Sequence, residues 1–446
     1  MSLPDALSLL DDLIKKARRA GADAADAVLV EGVSVSHAQR LGRTEKLERS
    51  EHFDLGLRVL IGKHQAIVSS NDRRAERLDE LVERAIAMAK AVPEDPYYGL
   101  ADPAEIARQW PDLDLVDDVE PSPEVLIARA AAAEDAARAV PGVTNSEGAE
   151  ASWQHSRLAL AASNGFAGSY VGSGHSVSAS VLAGEGAGME RDYDYTTTIH
   201  AADLRDPAEV GRRAGERAVR RLGARKVATC QVPVAYDPRV SSSLLGHLIG
   251  AINGPAIARG TSFLKEKRGE SVFAAGITII DDPHKPRGLR SRPFDGEGIA
   301  PERRAIVDDG VLTTWLLDLA SARQLGLRTT GHAVRGTSSP PNPSPSNLWL
   351  APGAVTQREL LGDIARGLYV TELMGMGVNG VTGDYSRGAA GFWIENGELT
   401  YPVSEITIAG NLKDMYRQLT AANDLEFKTG IDAPTIRVDG MTVAGT

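Results

Sequence analysis

The residues able to do chemistry are few and scattered. Nine histidines fall at positions 37, 52, 64, 155, 175, 200, 247, 284 and 332, and no two share a helical turn. The chain therefore has no HExxH or HExxxH pair, the pattern that sets two imidazoles and a carboxylate on one helix face around zinc. Ligands can converge from far apart, so spacing alone leaves a composite site open. For His247 the neighbours on a predicted helix over 241–258 are Ser243, Leu244, Gly250 and Ala251, which bind zinc poorly, and a packed or surface histidine is expected. Asp281-Asp282 and Asp308-Asp309 could hold a hard cation, but turn residues flank both pairs and turn chemistry is the expected reading. There is no GxSxG elbow, and the sole cysteine, Cys230, lies in a β-like run without a nearby base, as a buried structural thiol would. Gly375-Met376-Gly377-Val378-Asn379-Gly380 is a formal GxGxxG with Glu395 and Glu398 near the distance of a ribose-binding acid. The glycine-rich run Val381 to Gly388 that follows cannot propagate a helix, so a tight glycine loop in a β domain is expected instead.

The elements that must carry these residues follow from periodicity. Leu7, Leu10, Leu13, Ile14 and Ala17 mark an opening amphipathic helix after Ser2-Leu3-Pro4-Asp5. Ala27 to Val35 and Leu55 to Val59 read as strands separated by the polar stretch Gln39 to His52, and Gly62-Lys63 turns the second into Gln65 to Ser69. Asn71-Asp72 is a candidate cap for a helix through Leu78, Leu81, Val82, Ala85, Ile86 and Ala89 that stops at Pro93. Residues 96–123, rich in proline and aspartate, read as an extended surface connector. A helix over Glu124 to Val140, strands around Ala149 to Ala162 and Tyr170 to Ala183 joined at Ser163-Asn164-Gly165, and a helix from Pro207 to Leu222 complete an N-terminal α+β domain of helices on a small antiparallel sheet, residues 1–224. Residues 225–446 read as mainly β, with short apolar runs at 276–280, 305–307, 348–351, 367–373, 391–394 and 405–409, and helices near 241–258 and 412–423. The serine- and proline-rich run 338–346 is expected to be an ordered loop, because strand-like Leu348-Trp349-Leu350 follows it.

Composition narrows the function classes. With 60 acidic against 49 basic side chains the net charge is -11, which repels phosphate backbones and anionic membrane surfaces. Arginines do cluster at 212, 213, 217, 220, 221 and 225, but Glu209 and Glu216 are interleaved at pairing distance, so a solvated or interdomain helix is favoured over a polyanion patch. One cysteine excludes an intrachain disulfide and fits a reducing compartment, and no stretch approaches the roughly 20 apolar residues of a membrane span, so a cytoplasmic protein is expected.

Several ordered segments together resemble the TldD/PmbA peptidase family, once named modulators of DNA gyrase. They are Gly56-Leu57-Arg58-Val59 through Asp72, Ser163 through Tyr170, Ala258 through Leu264, Ile280-Asp281-Asp282-Pro283, Phe294-Asp295-Gly296-Glu297-Gly298, Gly375 through Gly391, Glu395-Asn396-Gly397-Glu398 and Ile408 through Leu412. In that family the TldD-like subunit carries an HExxxH helix before an Arg-Gly-Thr-Ser segment and a later zinc cysteine. Here Arg259-Gly260-Thr261-Ser262 is preceded by a helix whose matching positions are Leu245, Gly246 and Gly250, and the late segment Ile408-Ala409-Gly410-Asn411 has no cysteine. This is the PmbA or TldE pattern.

The resemblance implies a heterodimer in which a TldD-like partner holds Zn2+ and hydrolyses the peptide bond, while this chain, without catalytic residues or cofactor of its own, completes a chamber for an extended, unfolded peptide. Family substrates of the microcin-precursor and antitoxin type belong to the same implication. Peptide contacts are expected at Arg259, Gly260, Thr261 and Ser262 and at Gly375, Gly377, Gly380 and Tyr385, where backbone groups could approach another chain. Two other readings stay open, a stand-alone peptide-binding homodimer and a hydrolase with an unrecognised metal site.

Overall fold

A computed structural model describes residues 3–445. Helix α1 (Leu3–Arg19) opens the chain, and Ser2, which precedes it in the sequence, lies outside the described residues. Strands β1 (Ala24–Arg40), β2 (Arg43–Ile61) and β3 (His64–Ser70) follow, then helices α2 (Ala75–Ala91) and α3 (Pro123–Arg138), strands β4 (Val143–Ala162), β5 (Ala167–Ala183) and β6 (Glu190–Thr198), and helix α4 (Pro207–Arg220). The strands form one antiparallel six-stranded sheet in the order β3-β2-β1-β4-β5-β6. It is much larger than the small sheet expected from sequence, because β4 alone runs 20 residues and β6 carried no apolar signal. The polar stretch 39–52, expected to separate strands, is itself strand. Leu41 and Gly42, both at positive φ, turn β1 directly into β2, and the polar residues 43–52 form an exposed arm.

Strand parity divides the molecule. Side chains alternate across a sheet, so Ala25, Ala27, Leu29, Leu55, Leu57 and Val59 face one way and pack under α1 and α2. Farther along the same face Val35, Ala151, Trp153, Val177 and Ala179 pack under α3 and α4. The opposite parity, with Asp26, Val28, Arg58 and Leu160, faces the second half of the chain. Gly56 has that parity too, and a Cβ there would stand 2.1 Å from the carbonyl oxygen of Thr337, so the close approach of the two halves requires glycine.

The second half begins with β7 (Cys230–Tyr236), α5 (Pro238–Ala251) and α6 (Gly254–Ala258). It continues through β8 (Ile279–Asp282), β9 (Arg304–Asp308), β10 (Val311–Leu312), α7 (Leu319–Gln324), β11 (Ala333–Val334), β12 (Asn342–Pro343) and β13 (Asn347–Leu350). Last come α8 (Gln357–Gly362), β14 (Arg366–Met374), β15 (Asp384–Glu395), β16 (Glu398–Asn411), α9 (Leu412–Arg417), β17 (Leu419–Ala421), β18 (Ile431–Asp432) and β19 (Ile436–Ala444). Strands pair in the order β16-β15-β14-β7-β19-β17, and β16 also pairs with β19, which closes a barrel. A five-stranded sheet, β10-β9-β8-β13-β18, lies beside it, and one large core joins the two. The α+β class read from the sequence is the observed one.

Other local expectations need correction. Asn71 and Asp72 do not cap α2, which starts after Arg74; the Asp72 carboxylate instead accepts from the backbone and side chain of Arg74. The helix expected over 241–258 breaks at Asn253, since Pro255 has no N–H to continue the ladder and opens α6 instead. The helix expected to reach 423 stops at Arg417, where Leu419 and Ala421 pair with β19 in alternating burial. The connector is not a surface strand of chain: Ala101, Ile106, Ala107 and Leu113 are buried, and Ile106 bridges to Ile299 across the seam between the halves. Asp281 is not a turn residue either. It lies buried in β8 and accepts from the Ser346 amide and hydroxyl, whereas Asp309, at positive φ before Gly310, does make the expected turn.

Candidate functional site

Helix α5 is capped by Asp237, whose carboxylate accepts from the Arg239 amide at 2.9 Å, with Pro238 at the first helical position. Its buried face is Ser241, Leu244, Leu245, Leu248 and Ala251. Leu245 therefore points into hydrocarbon. Gly246 and Gly250, four residues apart and so on one face, are exposed, and a Cβ at either would meet nothing within 4 Å. The three positions expected to correspond to a zinc helix, Leu245, Gly246 and Gly250, thus offer one core leucine and a bare strip of backbone. Among the described residues no group of three His, Cys, Asp or Glu side chains is arranged to hold a metal ion, and the donor set on this helix does not fit zinc.

His247 is half-buried on the same helix. Its ring stands edge-on to Tyr385 with centroids 5.8 Å apart, and Nε2 is buried without a protein partner. Burial, reinforced by Arg387, pushes its pKa down to about 4, so the imidazole is neutral at physiological pH. A neutral histidine beside an arginine and a buried phenol has no carboxylate to orient it as a base. It is the packed histidine the sequence suggested, and its link to Tyr385 and Arg387 was invisible because those residues lie on β15.

The two segments named as peptide contacts meet in space. The Phe263 amide donates to the Gly380 carbonyl at 3.0 Å, tying the stretch after α6 to the loop between β14 and β15. That loop starts at Gly375, at positive φ, and folds on itself through Asn379, whose side chain accepts from the amides of Val381 and Thr382 at 2.9 and 3.2 Å. It is a glycine loop in a hairpin and opens no helix, as its composition indicated. Arg259 and Thr261 are exposed, as are Gly375, Gly377 and Gly380, and the loop also presents Met376, 86% exposed, and Val381, 56% exposed.

Two of the named residues take a different role. Ser262 is buried, its hydroxyl donating to the Ala251 carbonyl and accepting from the Leu264 amide, and Tyr385 is 1% exposed. Both brace the surface from beneath, because the polar atom of Ser262 is consumed in joining α5 to the following segment and the Tyr385 ring fills core. Gly377 is a structural requirement as well, since a Cβ there would lie 2.0 Å from the Ser386 carbonyl oxygen. The bare face of α5, Arg259 and Thr261, and Met376 and Val381 of the apolar, methionine-bearing loop are all exposed, and surfaces of this kind suit contact with another chain.

Relatives of known name share this architecture. Domain models described as PmbA/TldA metallopeptidase domain 1, central domain and C-terminal domain match residues 25–89, 117–222 and 229–445. The metalloprotease PmbA of Escherichia coli O157:H7 is 40% identical over 425 residues, covering 95% of this chain and 92% of that protein. The PmbA homolog of Haemophilus influenzae is 37% identical over 437 residues, covering 97% and 94%. Among solved structures, a Bacteroides thetaiotaomicron protein named for a modulator of DNA gyrase superposes with a TM-score of 0.90 at 30% identity over 98% of both chains. TldE from Thermococcus kodakarensis shares the fold, with a TM-score of 0.87 at 20% identity over 98% of this chain and 100% of its own. With models covering nearly the whole length and a relative 40% identical over almost all of both sequences, this chain belongs to the PmbA/TldD metallopeptidase family.

Proposed function

We propose that this chain is the non-catalytic, TldE-type subunit of a cytoplasmic zinc peptidase and that it pairs with a TldD-like subunit, which holds Zn2+ and breaks the peptide bond. The observation that carries this reading is α5: Leu245 is core, and Gly246 and Gly250 bear no side chain where ligands and a general base would stand. When bound in the partner, the metal polarises the scissile carbonyl and activates water. This chain's part is to hold an unfolded peptide, of the microcin-precursor or antitoxin type, against the bare helix face and the loop from Met374 to Gly383. An extended peptide gains affinity there from backbone contacts and places its side chains against Met376 and Val381. The chain by itself forms a homodimer through the surface that receives the partner.

The test is reconstitution. Zinc-dependent cleavage of an unfolded peptide should appear on mixing the purified chain with a TldD-like subunit and be absent from the chain alone; stoichiometric zinc with peptidase activity in the isolated chain would overturn the assignment. Gly250→Phe probes the holding role, because its Cβ has open space and the fold should survive. The pair should still assemble but lose about tenfold in kcat/KM, a cost of ~1.4 kcal/mol. Unchanged turnover would remove the α5 face from the peptide path.

A further inference from the structure

Between the six-stranded sheet and the second half lies a cavity of about 360 Å³, unconnected with the α5 surface and independent of the reading above. The sheet contributes Ser156, Leu158, Leu160 and Tyr170, and the second half contributes Phe294 and the arginines 290, 292 and 335. Those arginines are unusual. Arg292 is 8% exposed; its Nη2 donates to the Ser344 carbonyl at 2.8 Å, while its Nε is buried with no protein acceptor. Arg335 is 9% exposed; one nitrogen is ion-paired with Asp26, and both Nε and Nη2 are buried without an acceptor. Arg290 donates only to the Ser346 and Pro345 carbonyls and the Ser344 hydroxyl, none of them charged.

The one acid in the lining, Asp295, is already engaged. Its carboxylate accepts from the amides of Glu297 and Ile299 at 2.9 Å and of Ala333 at 3.2 Å. Buried guanidinium groups are costly unless an anion compensates them, and Arg292 and Arg335 line the cavity while carrying buried N–H groups that no protein acceptor satisfies. The planar fork of arginine matches the oxygens of a carboxylate or phosphate. In the same lining Tyr170 and Phe294 pack edge to face with ring centroids 5.5 Å apart, and Leu158 and Leu160 add apolar surface. The volume is in the range that encloses a small organic molecule, and a seam between two halves is a common place for such a pocket.

We propose that this cavity binds a small oxyanion, a carboxylate or phosphate monoester carrying an apolar body, with the oxygens on Arg292 and Arg335 and the body against Tyr170 and Phe294. Calorimetric titration of the full-length protein with phenylacetate, phenyl phosphate and inorganic phosphate tests it and separates the two oxyanions. One of the aromatic anions should bind with submillimolar Kd and at least about tenfold more tightly than inorganic phosphate. Arg292→Gln should weaken that binding about tenfold or more, through loss of a charge-assisted contact. Because Arg292→Gln alters a buried side chain, Ser156→Phe is the second variant: it adds a ring from an exposed position in the sheet's part of the lining and leaves every arginine in place. It should abolish binding while the melting temperature stays unchanged. Failure of both aromatic anions to bind at about 10 mM, or binding that Ser156→Phe leaves intact, would overturn the proposal.

Discussion

Asp26 on β1 lies between Arg58 on β2 and Arg335 of the second half, all of them buried. Burial alone would raise its carboxyl, but the two guanidiniums outweigh it and hold the pKa below the ordinary carboxylate value. Removing the anion strands two buried cations, so Asp26→Ala should lose about 3–5 kcal/mol of stability in denaturant unfolding, much more than a surface Asp→Ala change. Glu297 nearby has the opposite sign. Burial first, then repulsion from Asp295, pushes its carboxyl up, so the folded state keeps the proton while the unfolded chain gives it up. Stability from this group is therefore present at low pH and is lost as pH rises from the unfolded carboxylate value toward the raised folded one. Glu297→Gln can still accept from the Leu319 amide, and its melting temperature should exceed that of the parent by a margin that grows between pH 5 and 8, about 1 °C per kcal/mol for a unit of this size. A margin independent of pH would contradict this. None of these roles could be read in the sequence, because the partners stand up to 309 positions apart.

At the scale of elements the glycines divide by what faces them. Gly246 and Gly250 are exposed helix-interior positions with open space, so alanine at either should stabilise the isolated chain by ~0.5–1 kcal/mol through backbone entropy. Gly211 on α4 is the reverse: a Cβ there would lie 1.8 Å from the Ala133 carbonyl oxygen on α3. Gly211→Ala should force the two helices apart and cost about 1–3 kcal/mol or more, visible as a lower melting temperature. Both α3 and α4 were legible in the sequence, over 124–140 and 207–222, and α2 from its apolar spacing. Strand β6 and the outer half of the β1–β2 hairpin were not. Residues 43–52 are exposed on both faces, and β6 alternates between solvent and the buried polar residues Asp192, Asp194 and Thr196, so the apolar contrast that marks a half-buried strand is missing. The split of α5 from α6 was written in Gly254-Pro255, a breaker that periodicity on either side had masked.

For the molecule as a whole, the seam decides how the halves behave. One cluster of Val28, Ile106, Leu160, Phe166, Phe294 and Ile299 draws on the sheet, the connector and the second half, and Arg287 reaches back to Asp114 and Asp203. Halves joined by shared core rather than by a flexible linker should unfold together, and scanning calorimetry should show one transition. Asp26→Ala or Phe294→Ala should loosen the seam enough to separate it into two. A single transition in both variants would mean that the sheet and the barrel depend on each other elsewhere.

The sequence by itself determined the local elements with strong periodicity, the α+β class, and the absence of a paired-histidine helix, because these depend on residues close along the chain. It also carried the family, through an ordered series of glycine-bearing segments. Only the tertiary structure decided which of those segments touch: that residues 259–263 are bonded to the loop holding Gly380, that Ser262 and Tyr385 lie beneath the surface, and that arginines from the second half face the sheet. Long-range packing sets these facts. Whether a polar residue is a contact, a brace or an uncompensated charge depends on what the rest of the chain brings against it, and spacing along the sequence carries no record of that.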